Sequence, residues 1–361
     1  MNIRMYDCQF GDCFRVDPED DSYYPLYVDF GTRSIPSGKN ARYDEIINDM
    51  PDRMDFLLTH YHEDHYDGVI YLMNHKSQYN KVFQNIYIPD IWNLNRSVDI
   101  VKLILLRGLL WRYHINKSVT LLTFLSSICS MNGKIHFVDC GDSIQGKYTV
   151  LWPETNQLEP CIDYDEDSLN EIAKQTVRIM QTVRSENGVP TENAVSMLDA
   201  LNDRYINLPG PVGFDFTAKV RLSKWNNDIS IVFHSTTAVK RNVLFTGDVP
   251  QKYWPKIEHN ISNDPLAIGG NYSVIKVPHH GTHDYYYDFA SKVCDESVVL
   301  IPNGNIKNWL IDDDYCLLNP LIRLTVCSSN NCCKALQLNG HVCRCANNHI
   351  IDRSGNFYYD V

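Results

Sequence analysis

The first thirty positions carry short strand-like stretches of apolar residues, and then the period changes. Residues 3–16 read as a strand, a tight turn at Gly11 and a second strand. Leu26-Tyr27-Val28-Asp29-Phe30-Gly31 alternates like a third strand and stops at glycine. Residues 41–50 have helical spacing. Met54-Asp55-Phe56-Leu57-Leu58 is an apolar run of strand length, and Val69-Ile70-Tyr71-Leu72-Met73, behind the turn signal Asp67-Gly68, reads as helix. Asn85-Ile86-Tyr87-Ile88-Pro89 gives another strand. Residues 90–130 carry helical periodicity that breaks around 113–117, and residues 135–138 and 148–153 form two strands around Gly141-Asp142.

Residues 154–221 interrupt this pattern. An acidic run, Asp163-Tyr164-Asp165-Glu166-Asp167, leads into a helix over 168–183, and Thr191 caps a second helix over 192–205. The stretch reads as a helical insertion that roofs or flanks a site, or equally as a solvated decoration or dimer contact. Strand patterning resumes with Asn226-Asn227-Asp228-Ile229-Ser230-Ile231-Val232-Phe233. It continues through Val243-Leu244-Phe245-Thr246-Gly247-Asp248, Ser273-Val274-Ile275-Lys276-Val277, Val298-Val299-Leu300-Ile301 and residues 321–326.

Composition narrows the function classes. The chain has 361 residues, 44% of them hydrophobic, enough for a sizeable core. A formal charge of -11 argues against a protein that coats nucleic acid through a basic surface. It leaves room for a nuclease, because bound metal can supply local positive charge. The first eight residues lack the apolar core of an export signal, and the greasy segment 101–128 is interrupted by Lys102, Arg107, Arg112, His114 and Lys117. The expectation is a cytoplasmic chain without a membrane span. Its twelve cysteines then read as thiols or metal ligands rather than a disulfide frame.

Chemistry concentrates in Thr59-His60-Tyr61-His62-Glu63-Asp64-His65, where three histidines and two acids fall within six residues directly after a strand. Such a loop delivers imidazole and carboxylate groups to one point, which suits a divalent metal better than a chance polar loop. Two later strands also end in candidate donors, at Thr246-Gly247-Asp248 and at Val277-Pro278-His279-His280-Gly281-Thr282.

These motifs, in this order, resemble the metallo-β-lactamase fold superfamily of binuclear metallohydrolases. Tyr6-Asp7-Cys8-Gln9-Phe10-Gly11-Asp12 is similar to the opening of its ComEC-type branch, and Lys276-Val277-Pro278-His279-His280-Gly281 to the branch's last metal motif. Phosphorylcholine-esterase-like enzymes belong to the same branch. The resemblance implies an α/β, four-layer αββα sandwich over 1–326, with the helical insertion at about 155–221 and a Cys-rich β extension over 327–361. It implies two divalent ions, zinc by default with manganese or iron as alternatives. His60 and His62 would hold one ion, Asp64, His65 and one of His279 and His280 the other, with Asp248 between them. The order of the 279/280 pair stays open. His279 is favoured as ligand and His280 as the residue facing substrate, so the catalytic set is Asp64, Asp248 and His280. Asp29, Asn227, Thr282 and His283 are candidates for the layer behind the ligands. The superfamily's middle histidine matches Trp152 here, and nearby His136 reads as structural.

The implied reaction is hydrolysis by a hydroxide held between the metals. The substrate expected first is a phosphodiester: a nucleotide, a single-stranded nucleic acid or a lipid headgroup. A lactone, thioester or amide is the second expectation, and a metal-stabilised interaction scaffold the third. Oligomerisation or a partner protein from the same operon is compatible with each. In the tail, Cys327, Cys332, Cys343 and Cys345 around the Asn339-Gly340 turn give a candidate structural zinc site, against free thiols on a β layer.

Overall fold

A computed structural model describes residues 1–8, 11–32, 39–111, 119–235, 243–264, 271–294, 297–302, 311–312, 314–315, 318, 322–325 and 357–360. Strands β1 (Asn2–Met5), β2 (Cys13–Asp17) and β3 (Leu26–Phe30) form an antiparallel meander. Helix α1 (Lys39–Asp49) crosses to β4 (Arg53–Leu57), α2 (Glu63–Asn74) to β5 (Val82–Pro89), and the pair α3 (Ser97–Trp111) and α4 (Leu121–Cys129) to β6 (Lys134–Val138). These crossovers make β3, β4, β5 and β6 parallel neighbours, as βαβ connections require.

The second half starts with β7 (Ser143–Ile144) and β8 (Tyr148–Trp152). Three helices follow: α5 (Asp167–Ser185), α6 (Glu192–Ile206) and α7 (Phe216–Asn226). Then come β9 (Val232–Ser235), β10 (Val243–Phe245), α8 (Trp254–Asn263), β11 (Val274–Lys276), β12 (Val298–Ile301) and β13 (Ile322–Thr325). The last strand, β14 (Phe357–Asp360), pairs antiparallel with β1, so the chain's end joins its beginning. The result is a mixed α/β protein with two seven-stranded mixed sheets, ordered β14-β1-β2-β3-β4-β5-β6 and β13-β12-β11-β10-β9-β8-β7.

Period-two patterning explains how the sheets meet. Alternate residues Ile3, Met5, Phe14, Val16, Leu26 and Val28 of the first sheet share one buried cluster with Val150, Phe233, Val243, Phe245, Val274 and Leu300 of the second. Phe14 sets its edge on Phe245 at 5.4 Å, and Phe245 stacks on Phe233 at 5.1 Å. The opposite residues, such as Phe56, Ile86 and Ile88, pack with the helices. Helices α5 and α6 pack on α3 and α4, so the insertion extends the helical layer. Their starts follow the side-chain caps: Glu166 accepts from the amides of Ser168 and Leu169, and Thr191 from Ala194. Among the described residues no helix is long and apolar enough to cross a membrane.

One expected strand starts later than its pattern suggests, at Val232. Residues 226–231 do not open the second half as β structure. Asp215 caps α7, which runs on to Asn226, and a 3-10 turn, Asn227–Ile229, precedes β9. Burial defeats the alternation there: Trp225, Asn226, Asn227, Asp228 and Ile229 are all buried, so neither period-two face is left to solvent. The cysteine cluster at 327–345 lies outside the described residues.

Candidate functional site

The site lies where β4, β10 and β11 end. Leu58 continues β4 by donating its amide to Tyr87 O at 2.9 Å, and the chain then turns into α2 with His62 as N-cap. Glu63 and Asp64 occupy the first turn, where the helix dipole favours acids. The loop is held from several sides. Ile231 N donates to Thr59 O at 2.9 Å, and Asn226 Nδ2 donates to Tyr61 O at 3.0 Å. Glu63 meets buried Arg107 of α3 at 2.5 Å, and Arg107 Nε reaches Ser223 of α7 at 3.1 Å. Gly31 fits flat beneath: a Cβ there would come within 2.5 Å of Asp64 C and 2.7 Å of His65 N.

Asp248 follows β10 through left-handed Gly247 (φ 50°), and its amide donates to Ser230 Oγ at 3.1 Å. Four imidazoles turn Nε2 toward its Oδ2: His65 at 3.4 Å, His60 and His280 at 3.8 Å and His279 at 4.0 Å. His62 joins through Nδ1, 2.9 Å from His60 Nε2. The donor atoms of His60, His65 and Asp248 lie within 4.8 Å of one another, as do those of Asp64, His65 and His280. Either group could hold a metal ion. The Nε2 of His65 is buried and makes no hydrogen bond among the described residues; its nearest acid oxygen is Asp248 Oδ2.

The His-His turn after β11 is strained. His279 (φ 44°) and His280 (φ 56°) both adopt left-handed backbone, followed by Gly281 (φ 75°). Non-glycine residues held this way cost about 1–3 kcal/mol each, and such strain gathers at functional sites. The turn splits the pair. Nδ1 of His280 lies 3.0 Å from Pro302 O and 3.1 Å from Asp12 Oδ1, and its ring falls in the Asp64–His65 group. His279 instead has Nδ1 2.7 Å from Thr282 Oγ1 and its ring stacked on Tyr285 at 4.0 Å. The sequence favoured His279 as ligand and His280 as the substrate-facing residue; both imidazoles face Asp248, and it is His280 that joins Asp64 and His65 in a group able to hold a metal ion.

Electrostatics separate the imidazoles. Burial, with help from neighbouring His65, pushes His60 well down. Burial also takes His279 down to about 3. For His65, the burial penalty is outweighed by Asp29 and Asp248, which raise it well up. For His280 it is outweighed by Asp12 and Asp248. Asp248 ends well below the usual carboxylate range, because Lys276 and His65 outweigh its burial.

The residues expected behind the donors divide. Asp29, itself left-handed (φ 58°), accepts from Thr59 N and Thr59 Oγ1 at 2.7 Å each and from His65 Nδ1 at 2.8 Å. Asn227 acts at one remove: its Nδ2 donates to the Tyr285 hydroxyl at 2.8 Å, and Tyr285 backs His279. Thr282 is in place beside His279. His283 is not; the 3-10 turn His283–Tyr285 carries it outward, where its side chain is 88% exposed and pairs with Asp312. Trp152 is a core residue whose Nε1 donates to Asp228 O at 2.9 Å, and His136 is structural, 3.0 Å from Asn85 Oδ1. Sequence reasoning passed over Asp12 and Lys276, buried beneath Asp248 and paired at 2.6 Å. A lysine at an inward position of β11 was the available signal. Tyr285, stacked on His279, is a further residue of the site, whereas Tyr286 packs on Tyr315 and Tyr287 on Trp254. No family model matches the chain, and no curated protein does.

Proposed function

We propose that the chain is a binuclear metal-dependent hydrolase of the four-layer αββα metallo-β-lactamase type, acting on a phosphodiester. The observation that carries this reading is the ring of four imidazole Nε2 atoms within 4.0 Å of one carboxylate oxygen of Asp248. Asp64, His65 and His280 would hold one ion with Asp248, and His60 and His62 the other. Divalent ions, zinc by default, would supply a nucleophile at neutral pH and stabilise negative charge as the ester breaks. Asp29 keeps the Nδ1 proton of His65 in place, so that Nε2 is left to bind. His279 is neutral near pH 7 and held by Thr282 and Tyr285, an arrangement that suits contact with a substrate oxygen.

The choice of a phosphodiester rests on the motif resemblance to the ComEC-type and phosphorylcholine-esterase-like branch. The net charge of -11 favours a nucleotide, a single strand or a lipid headgroup over long duplex DNA. The test combines metal analysis of the purified chain with turnover of a chromogenic phosphodiester, a lactone and single-stranded DNA. Phosphodiester turnover that vanishes in both Asp64→Ala and Asp248→Asn supports the proposal. Full activity in both variants refutes it. Turnover of the lactone alone would move the reading to carbonyl hydrolysis, and bound metal without any turnover to a scaffold.

A further inference from the structure

Lys276 closes β11 on the face turned toward the other sheet, two residues after inward Val274, and it is 1% exposed. An ammonium there is costly unless every N–H finds a partner. Lys276 Nζ has three: Asp12 Oδ2 at 2.6 Å, Gly247 O at 2.7 Å and Asp248 Oδ1 at 3.3 Å. The other oxygen of Asp12 meets His280 Nδ1 at 3.1 Å. The strand end is pinned as well, since Thr246 Oγ1 donates to Lys276 O at 2.7 Å. A continuous chain thus runs from His280 through Asp12 and Lys276 to Asp248. It occupies one oxygen of Asp248 and leaves the other to the four imidazoles.

We infer that Lys276 and Asp12 are positioning residues: a built-in counter-charge that sets Asp248 and His280 and keeps the acid-rich centre assembled when no ion is bound. This deepens the metallohydrolase reading and rests on it. Its consequence has a sign. Without the ammonium, Asp12 and Asp248 face each other uncompensated, and a divalent ion makes up the missing positive charge. Without the charge of Asp12, Lys276 is left in surplus beside the ion, and His280 loses its support. A purely structural pair would shift ion-free and ion-loaded protein equally.

The test uses the full chain as wild type, Lys276→Met and Asp12→Asn. Each is melted in EDTA and in saturating zinc, and zinc Kd is measured by competition with a chromophoric chelator. The zinc-induced rise in Tm should be larger than wild type in Lys276→Met and smaller in Asp12→Asn. Zinc Kd should tighten by about tenfold or more in Lys276→Met, as expected when a nearby like charge is removed. It should weaken by about tenfold or more in Asp12→Asn, the usual loss when a ligand's outer partner is changed. An unchanged rise and an unchanged Kd in both variants overturn the inference. If Lys276→Met does not fold, near-isosteric Asp12→Asn decides alone. A wild type that binds no zinc at all sinks the metallohydrolase reading instead.

Discussion

Replacing Asp29 by Asn changes one atom and should disable the centre. The carboxylate is buried at the end of β3, where it accepts three hydrogen bonds. An asparagine has two ways to sit there. With Nδ2 in place of Oδ1, it opposes the Thr59 amide at about the same 2.7 Å separation, donor against donor. That leaves buried donors unsatisfied and costs about 1–3 kcal/mol. With Nδ2 in place of Oδ2, the Thr59 hydroxyl can rotate to accept, but His65 Nδ1 must also accept. Its proton then moves to Nε2, the atom 3.4 Å from Asp248 Oδ2, and the lone pair that would bind metal is lost. The second placement is the cheaper. The stability loss should therefore be modest, about 1 kcal/mol for a weakened charge-assisted network. Zinc affinity should fall about 10–100-fold. Chelator competition reads the affinity, and nitrogen NMR of the imidazoles reads the tautomer directly. Wild-type affinity together with a retained Nδ1–H on His65 would refute the argument.

Two further outcomes follow from packing and from titration. Gly31→Ala drives a Cβ into the backbone of Asp64 and His65, which cannot swing aside as a side chain does. It should cost about 1–3 kcal/mol by overpacking, and an ångström-scale shift of the donors should cost turnover about a hundredfold. Turnover at the wild-type rate would show that the loop does not rest on Gly31. His234, away from the centre, is buried between Tyr272 and Asp264, and burial lowers its pKa against the pull of Asp264. Its folded pKa thus lies below its unfolded value of about 6.5, so the unfolded chain takes up the proton first as pH falls, and stability is lost below about pH 6.5. The drop in urea midpoint from about pH 7.5 to pH 5.5 should shrink in His234→Asn; an equal drop in both proteins would exclude His234 as the source.

The legible parts were those where local pattern and tertiary role agree. Strands β3, β4, β10, β11 and β12 are short, mostly apolar runs, as burial on both faces requires, and capping residues Thr191 and Glu166 mark the starts of helices as their chemistry predicts. The donors could be read because each follows a strand end, and strand ends of both sheets meet at one place. What stayed hidden depends on three-dimensional neighbours. Asn226 and Asn227 look like strand residues until a buried α7 claims them. Nothing in the string His279-His280 reveals two consecutive left-handed residues, so the roles within the pair could not be assigned. His283 is one residue past Thr282, yet one 3-10 turn takes it to the surface. Asp12 and Lys276 are distant in sequence and ordinary in composition; only the close approach of β2's start to β11's end makes them partners.

The two sets of donors differ at one position. His65 has Nδ1 committed to the Asp29 carboxylate, and His280 has Nδ1 on the Pro302 carbonyl with Asp12 beside it at 3.1 Å, which fixes tautomer and ring orientation before any ligand arrives. His60 has a threonine hydroxyl at 3.1 Å for the same purpose, and His62 lies against His60 itself. That hydroxyl gives its one proton to Asp29, so toward His60 it accepts, and the Nδ1 proton of His60 is held as well. The position that matches the middle histidine of the resembled superfamily is filled by Trp152, turned into the core toward Asp228. In the proposed centre both sides thus have a ring whose orientation is set in advance, and they differ at the middle position. Were ions bound as proposed, the indole there would leave a coordination position to water or substrate. In the proposed hydrolase that position would be where a substrate oxygen displaces water without dismantling the site.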